Sequence, residues 1–204
     1  MKRAVLTAAT IACMAMPAGA ASVSKSYSYF SIHGNTLDDI EEQLSQRGPH
    51  VNTSGSRHPG ATRMQFTTKL AYAQGEGFCR IVDARTTVSA KLILPRWRKP
   101  RKADPDVKLI WDTLSADIKR HEESHVVIAK NYAAELEKSL KAMGKQKNCQ
   151  IAATKAKEIT AKVLARHDRA QADFDRVEGK NFESRILRLL KYRLEQMKAG
   201  RIRG

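Results

Sequence analysis

The sequence predicts an α+β fold: an N-terminal antiparallel β-sheet with one short helix, followed by a helical half. Before Pro105 the apolar residues mostly alternate with polar ones, which is the period of a half-buried strand. From Asp106 onward the apolar residues recur every three or four positions, which is the period of an amphipathic helix. The 204 residues are 42% hydrophobic, so the chain is long and apolar enough to form one domain with its own core. Disordered, collagen-like and low-complexity classes are excluded.

The first 20 residues have the layout of a secretory signal peptide. A basic start at Lys2 and Arg3 precedes an uncharged apolar stretch, and Ala18-Gly19-Ala20 is a small-residue cleavage pattern. The apolar run is shorter than the ~20 residues of a membrane span. Residues 1–20 are therefore assigned to the signal peptide, with no transmembrane segment expected after its removal. The expected location is the periplasm or the exterior, and the mature net charge falls from +16 to +14 because two basic residues are lost.

Three strands and one helix are predicted in the N-terminal half. An aromatic and β-branched segment at 26–32 predicts the first strand. Thr36 and Asp39 have the spacing of a capping box, which predicts a short helix running to about Gln46. Alternation over 62–94, interrupted by Gly75-Glu76-Gly77, predicts a hairpin with long strands.

Three helices are predicted in the second half. One begins near Asp106, a second covers about 151–174, and a third covers 182–198. The boundaries that follow are an α+β domain over 21–181 and a basic amphipathic C-terminal helix and tail over 182–204.

The first of these helices contains a motif with a specific chemistry. The run from His121 to His125 reads H-E-E-S-H, which is the pattern H-E-x-x-H. Histidines four positions apart share a helix face, so both imidazoles reach one cation, and zinc is the ion that suits them best. Glu122 lies about 100° around the helix, beside the ion, where it serves as the general base that takes a proton from water.

The two histidines belong to a stripe of mainly apolar residues, which are Leu114, Ile118, His121, His125, Ile128 and Tyr132. Imidazole nitrogens are costly to bury without partners. A metal site provides such partners. The alternative is two core histidines that are hydrogen-bonded to backbone or carboxylate groups.

Two cysteines remain once the signal peptide, which contains Cys13, is removed. In an oxidising compartment an even number favours one disulfide, here between Cys79 and Cys149. Two separate buried thiols are the alternative.

Several segments resemble, in order, a bacterial domain of unknown function whose members are predicted secreted zinc-dependent proteases. Besides the H-E-x-x-H run, the similar segments are Tyr29–Leu37, Gly60–Arg63, Leu94–Trp97 and Cys149, within residues 27–181. The resemblance implies zinc-dependent hydrolysis of peptide bonds. The family carries Y-D-x-x-T-x-H-G after the second long helix, and its His and Gly correspond here to Lys180 and Asn181.

A catalytic zinc usually has three protein ligands, and the third is left open by the sequence. Asp175 matches the Asp of the family segment and is the first choice. His167 lies on the apolar stripe of the same helix and is the second. Glu178 is the third.

The predicted function is a secreted or periplasmic zinc-dependent metallopeptidase that hydrolyses peptides or proteins through a zinc-activated water. Glu122 is the catalytic residue, and His121, His125 and Asp175 are the metal ligands. The alternative is a non-catalytic envelope binding protein with a degenerate zinc site. The basic C-terminal helix is a candidate for contact with an anionic envelope surface or, alternatively, a solvated helix. No nucleic acid partner is expected, since no nucleic-acid motif occurs and the chain is expected to be exported.

Overall fold

The computed structural model describes residues 21–51 and 56–202. The predicted signal peptide at 1–20 and the last two residues of the C-terminal tail lie outside the described residues. Within the described part, no helix is both long enough and apolar enough to cross a membrane.

The N-terminal half forms a three-stranded sheet in which the longest strand is central. The strands are β1 (Ser22–Ile32), β4 (Ala61–Gly75) and β5 (Phe78–Trp97), in the order β1-β5-β4. A minor pair, β2 (His50–Val51) and β3 (Ser56–Arg57), lies within the stretch that separates the first helix from β4.

The α+β class is confirmed, but the sheet is mixed and not purely antiparallel. β4 and β5 form the predicted antiparallel hairpin, with Gly77 at a positive φ in the turn. β1 instead runs parallel to β5, from Ser22 opposite Thr87 to Ile32 opposite Trp97. Alternation of residue types indicates a strand but carries no information on its direction, which is set by the crossover between β1 and β5.

The short helix α1 (Leu37–Arg47) begins as predicted. The Thr36 hydroxyl accepts the backbone N–H of Asp39, and the Asp39 carboxylate accepts the backbone N–H of Thr36. Both donors would otherwise be unsatisfied at the start of the helix. Ile40 and Leu44 face inward and pack with Ile32, Trp97 and Trp111.

The helical half consists of α2 (Pro105–Lys141), α3 (Cys149–Lys180) and α4 (Phe182–Lys198). α3 continues six residues beyond the predicted end near Phe174, so Asp175 and Glu178 are still helical. α2 lies against one face of the sheet, where Val126 packs with Leu92, and Ala129 and Ala133 pack with Val88. α3 packs beside α2 through Ala156 and Val163.

The face of α2 that is most deeply buried differs from the predicted stripe. Its members recur every three or four residues and are Ile118, Glu122, Val126, Ala129, Ala133, Leu136 and Leu140. Glu122 thus lies among the core residues that face the sheet. The histidines are rotated toward α3.

Candidate metal centre

Three side chains from two helices converge at one point between α2 and α3. His121 Nε2 and His125 Nε2 are 3.1 Å apart, and Asp175 Oδ1 lies 3.2 Å from the first and 3.0 Å from the second. The i, i+4 spacing on α2 places the two imidazoles on one face. The extended α3 brings in the carboxylate. We call these three residues the donor triangle.

The dimensions of the donor triangle suit a small cation. Ligands at 2.0–2.1 Å from a tetrahedral zinc ion are about 3.3 Å apart, close to the three separations here. Two imidazole nitrogens and one carboxylate oxygen are also a ligand set that zinc accepts. Within the described residues, His121, His125 and Asp175 form a group with the spacing needed to hold a metal ion.

Within the donor triangle, Asp175 and His125 each stabilise the charged form of the other. Burial alone would raise the pKa of Asp175, but the hydrogen bonds from His121 and His125 outweigh it and hold that pKa well below its usual range. Burial alone would lower the pKa of His125, but Asp175 and Gln171 raise it overall. The centre therefore holds a carboxylate that stays ionised.

Phe174 forms the apolar backing of the imidazoles. Its ring stacks on His121 at 5.0 Å between centroids and meets the His125 ring edge-on at 5.1 Å. A rigid aromatic surface restricts the rotation of both imidazoles.

Glu122 is buried beside the donor triangle, with only 4% of its surface exposed. The Thr62 hydroxyl at the start of β4 lies 2.7 Å from Glu122 Oε2 and donates to it. Burial raises the pKa of Glu122, although the Thr62 hydrogen bond and the nearby histidines oppose this effect. A buried carboxylate is costly, so its presence in a cavity wall marks a candidate functional group.

The cavity next to the donor triangle has a volume of about 420 Å³. Its wall includes His121, Glu122 and Asp175, together with Pro59, Gly60 and Ile118 from the N-terminal part and α2. The far side is formed by Glu178, Gly179, Phe182 and Arg185. The proposed base and two members of the donor triangle therefore border the same space.

The two alternative third ligands lie outside the donor triangle. Glu178 approaches the other nitrogen of His121, with Oε2 at 3.6 Å from Nδ1, and it is paired with Arg120. His167 is buried, and its Nε2 is 2.8 Å from Gln171 Nε2. Lys180 and Asn181, at the positions of the family's His and Gly, end α3 beyond the centre.

Sequence reasoning missed two contributors to the centre. Thr62 belongs to the Gly60–Arg63 segment that resembles the family, but nothing in that segment indicates that the Thr62 hydroxyl donates a hydrogen bond to Glu122. Gln171, whose Oε1 is 2.6 Å from His125 Nδ1, was not identified at all. Its spacing four residues from both His167 and Asp175 was the available signal, because such residues share a helix face.

Fold and site together define an α+β protein with a two-histidine, one-carboxylate cluster beside a buried glutamate. The chain belongs to the bacterial family described as "Bacterial protein of unknown function (DUF922)", whose model matches residues 27–182. Comparison with curated proteins and with solved structures found no match.

The predicted cysteine pair lies at disulfide distance. The sulfur atoms of Cys79 and Cys149 are 2.10 Å apart. The bond joins the start of β5 to the start of α3, and thereby ties the sheet to the helix that carries Asp175.

Proposed function

We propose that the protein is a zinc-dependent metallopeptidase of the bacterial envelope or exterior. One observation carries the proposal: two members of the donor triangle border the same cavity as Glu122, the buried carboxylate of the H-E-x-x-H run. His121, His125 and Asp175 would hold the ion. Zinc bound there would supply Lewis acidity, which lowers the pKa of water and polarises a carbonyl.

Glu122 is the group that moves protons in this proposal. One of its oxygens, Oε2, accepts the Thr62 hydroxyl, so the carboxylate is held in place. The other, Oε1, lies against Gly60 in the cavity wall. From this position Glu122 accepts the proton of the attacking water and delivers it to the leaving amine nitrogen.

The substrate is proposed to be an extended peptide. β4 is an edge strand of the three-stranded sheet, and it begins at Ala61, next to the Gly60 wall of the cavity. A peptide that adds to this edge by main-chain hydrogen bonds would run past the donor triangle.

The first prediction separates an enzyme from a binding protein. Glu122→Gln keeps the shape and a hydrogen-bond partner for Thr62 but removes the proton acceptor. We expect unchanged zinc content and folding, with kcat lowered at least ~100-fold. The measurement is chelator-sensitive cleavage of an unstructured protein, with zinc counted by mass spectrometry.

Substitutions of two aspartates on α3 serve as the comparison for Glu122→Gln. Asp175→Asn should weaken zinc retention as well as the rate, because it removes a charged donor. Asp173→Asn, which changes an exposed carboxylate paired with Arg176, should change neither. If the wild type shows no chelator-sensitive cleavage and Glu122→Gln retains full biological function, the alternative of a non-catalytic envelope binding protein replaces the peptidase.

For the C-terminal helix we propose contact with an anionic envelope surface. Leu187, Lys191, Leu194 and Lys198 are spaced four, three and four residues apart, so they share one face of α4, and all four are exposed. A face that combines leucines with lysines suits the boundary of an anionic lipid layer.

The second prediction tests that face. Replacing Lys191 and Lys198 with Glu should abolish co-sedimentation with vesicles that contain phosphatidylglycerol, while zinc content stays the same. Vesicles of phosphatidylcholine alone are the control, and wild-type protein that ignores both kinds of vesicle would refute the contact.

A further inference from the structure

A chain of polar side chains leads from the candidate ligand His125 to a buried imidazole outside the donor triangle. His125 Nδ1 is 2.6 Å from Gln171 Oε1, and Gln171 Nε2 is 2.8 Å from His167 Nε2. His167 Nδ1 in turn lies 3.0 Å from Asp168 Oδ1. The centre described above leaves His167 without a role, although only 6% of it is exposed.

The backbone of α2 fixes the orientation of the Gln171 amide. Gln171 Nε2 is 3.1 Å from the carbonyl oxygen of His125, which can only accept a hydrogen bond. The amide nitrogen must therefore point toward that carbonyl, and the amide oxygen toward the His125 ring. The two amide hydrogens go to the His125 carbonyl and to His167, while Met64 Sδ is farther away at 4.0 Å.

This orientation determines which ring nitrogens carry hydrogen. Gln171 Oε1 only accepts, so His125 Nδ1 must donate. Gln171 Nε2 only donates, so His167 Nε2 must accept, and the His167 hydrogen is then on Nδ1, facing Asp168. Each bond in the chain has one allowed direction.

The tautomer of His125 determines the state of its other ring nitrogen, Nε2. With hydrogen on Nδ1, the neutral ring presents a lone pair at Nε2. That atom is 3.0 Å from Asp175 Oδ1 and 3.1 Å from His121 Nε2. Electron-rich atoms this close repel one another unless a proton or a metal ion lies between them.

We propose that Gln171 is the positioning residue that selects the metal-binding tautomer of His125, and that His167 holds Gln171 in place. The proposal rests on the zinc site proposed above. It gives His167 a structural reason to be buried: Phe66 and Tyr132 meet its ring edge-on at 5.0 and 5.8 Å and keep its Nε2 aimed at the amide.

The test reads the tautomer directly, without metal. Long-range proton–nitrogen NMR on the metal-free protein with labelled histidine, recorded at rising pH until the neutral rings are observed, distinguishes Nδ1–H from Nε2–H. Wild type should show Nδ1–H at both His125 and His167. Gln171→Met, which keeps the length but removes the acceptor, should shift His125 toward Nε2–H, since Asp175 then becomes its best acceptor.

Zinc affinity is the second readout. Gln171→Met should raise the zinc Kd about 10- to 100-fold, the range found when an outer partner of a ligand is removed. Gln171→Glu keeps an acceptor for His125 Nδ1 and should retain the His125 tautomer, but it can donate neither to His167 nor to the His125 carbonyl. Gln150→Met, at an exposed site in the first turn of α3, is the matched control and should change nothing.

The outcomes distinguish this proposal from the one on which it rests. Nε2–H at His125 in the wild type, or a Gln171→Met variant with unchanged tautomer and unchanged Kd, would overturn the positioning role. A wild type with the expected tautomers that takes up no zinc would overturn the zinc site and leave the orientation of His125 standing.

Discussion

Gly60 and Glu122 illustrate how closely the candidate site is packed at the residue scale. A Cβ added at Gly60 would lie 2.8 Å from Glu122 Oε1 and 2.9 Å from Ile118 Cγ2. Both distances are shorter than van der Waals contact, so a side chain at this position must displace the side chains of Glu122 and Ile118. The close approach of Glu122 therefore explains why position 60 is a glycine, whereas the backbone conformation there does not.

The third prediction is that Gly60→Ala impairs catalysis more than zinc binding. Displacement of the Glu122 carboxylate should lower kcat about 10- to 100-fold, because small misplacements of a catalytic group are costly. Overpacking should also reduce the free energy of unfolding by about 1–3 kcal/mol.

Gly179→Ala is the control for Gly60→Ala. It also borders the cavity, but its added Cβ would meet no atom within 4 Å, and its position in a helix makes alanine neutral or favourable. The third prediction is tested by measuring the kinetics, the denaturant-induced unfolding and the zinc content of both variants. Equal activity in the two variants would contradict the argument.

At the scale of elements, none of the described residues of α4 is buried, and Arg185 makes ionic contacts from α4 to the other two long helices. Arg185 donates from Nε and Nη2 to the carboxylate of Asp117 on α2, at 3.1 Å each, and from Nη1 to the carbonyl of Glu178 on α3 at 3.2 Å. Arg185 lies in the segment 182–204, which the sequence predicts to be a basic amphipathic helix and tail. The structure shows that it joins three helices.

The fourth prediction concerns this attachment. Arg185→Met leaves the buried Asp117 with Arg120 as its remaining cation and should lower the free energy of unfolding by about 2–4 kcal/mol. It should also expose α4 to limited proteolysis. Arg188→Met, an exposed change one turn away, should stay within about 0.5 kcal/mol. Unchanged protection of α4 in Arg185→Met would contradict the role of this ion pair.

At the scale of the whole molecule, the disulfide joins parts of the chain that are 70 residues apart in sequence. It links the hairpin of the sheet to the first turn of α3, and α3 carries Asp175 and Gln171 further along. A cross-link of this span restricts the unfolded chain, which by the chain-entropy argument stabilises the fold by about 3–5 kcal/mol.

The fifth prediction is that Cys79 and Cys149 resist thiol labelling in denatured, unreduced protein recovered from the periplasm. Peptide mass mapping identifies them as the linked pair. Replacing both with Ser should lower the free energy of unfolding by about 3–5 kcal/mol. The single variants should resemble the double variant, because either one removes the bond. Modification of both thiols without reductant would show that the bond is not formed.

The sequence by itself determined the features that depend on local periodicity and spacing. The capping box at Thr36 and Asp39, the hairpin around Gly77 and the start of α4 at Phe182 all follow from neighbouring residues, and the structure agrees with each. The i, i+4 pairing of His121 and His125 is of the same kind, since the helix alone brings the two imidazoles together.

Only the tertiary structure decided the features that depend on contacts between distant segments. The parallel direction of β1, the burial of Glu122 against Thr62 and the position of Gln171 beside His125 join residues between about 46 and 65 positions apart. The approach of Asp175, and not of His167 or Glu178, to the Nε2 atoms of both His121 and His125 is also of this kind, because all three are on one helix and its rotation against α2 selects among them. Residue type and spacing fix which groups can share a face of one element, whereas the packing of elements fixes which faces meet.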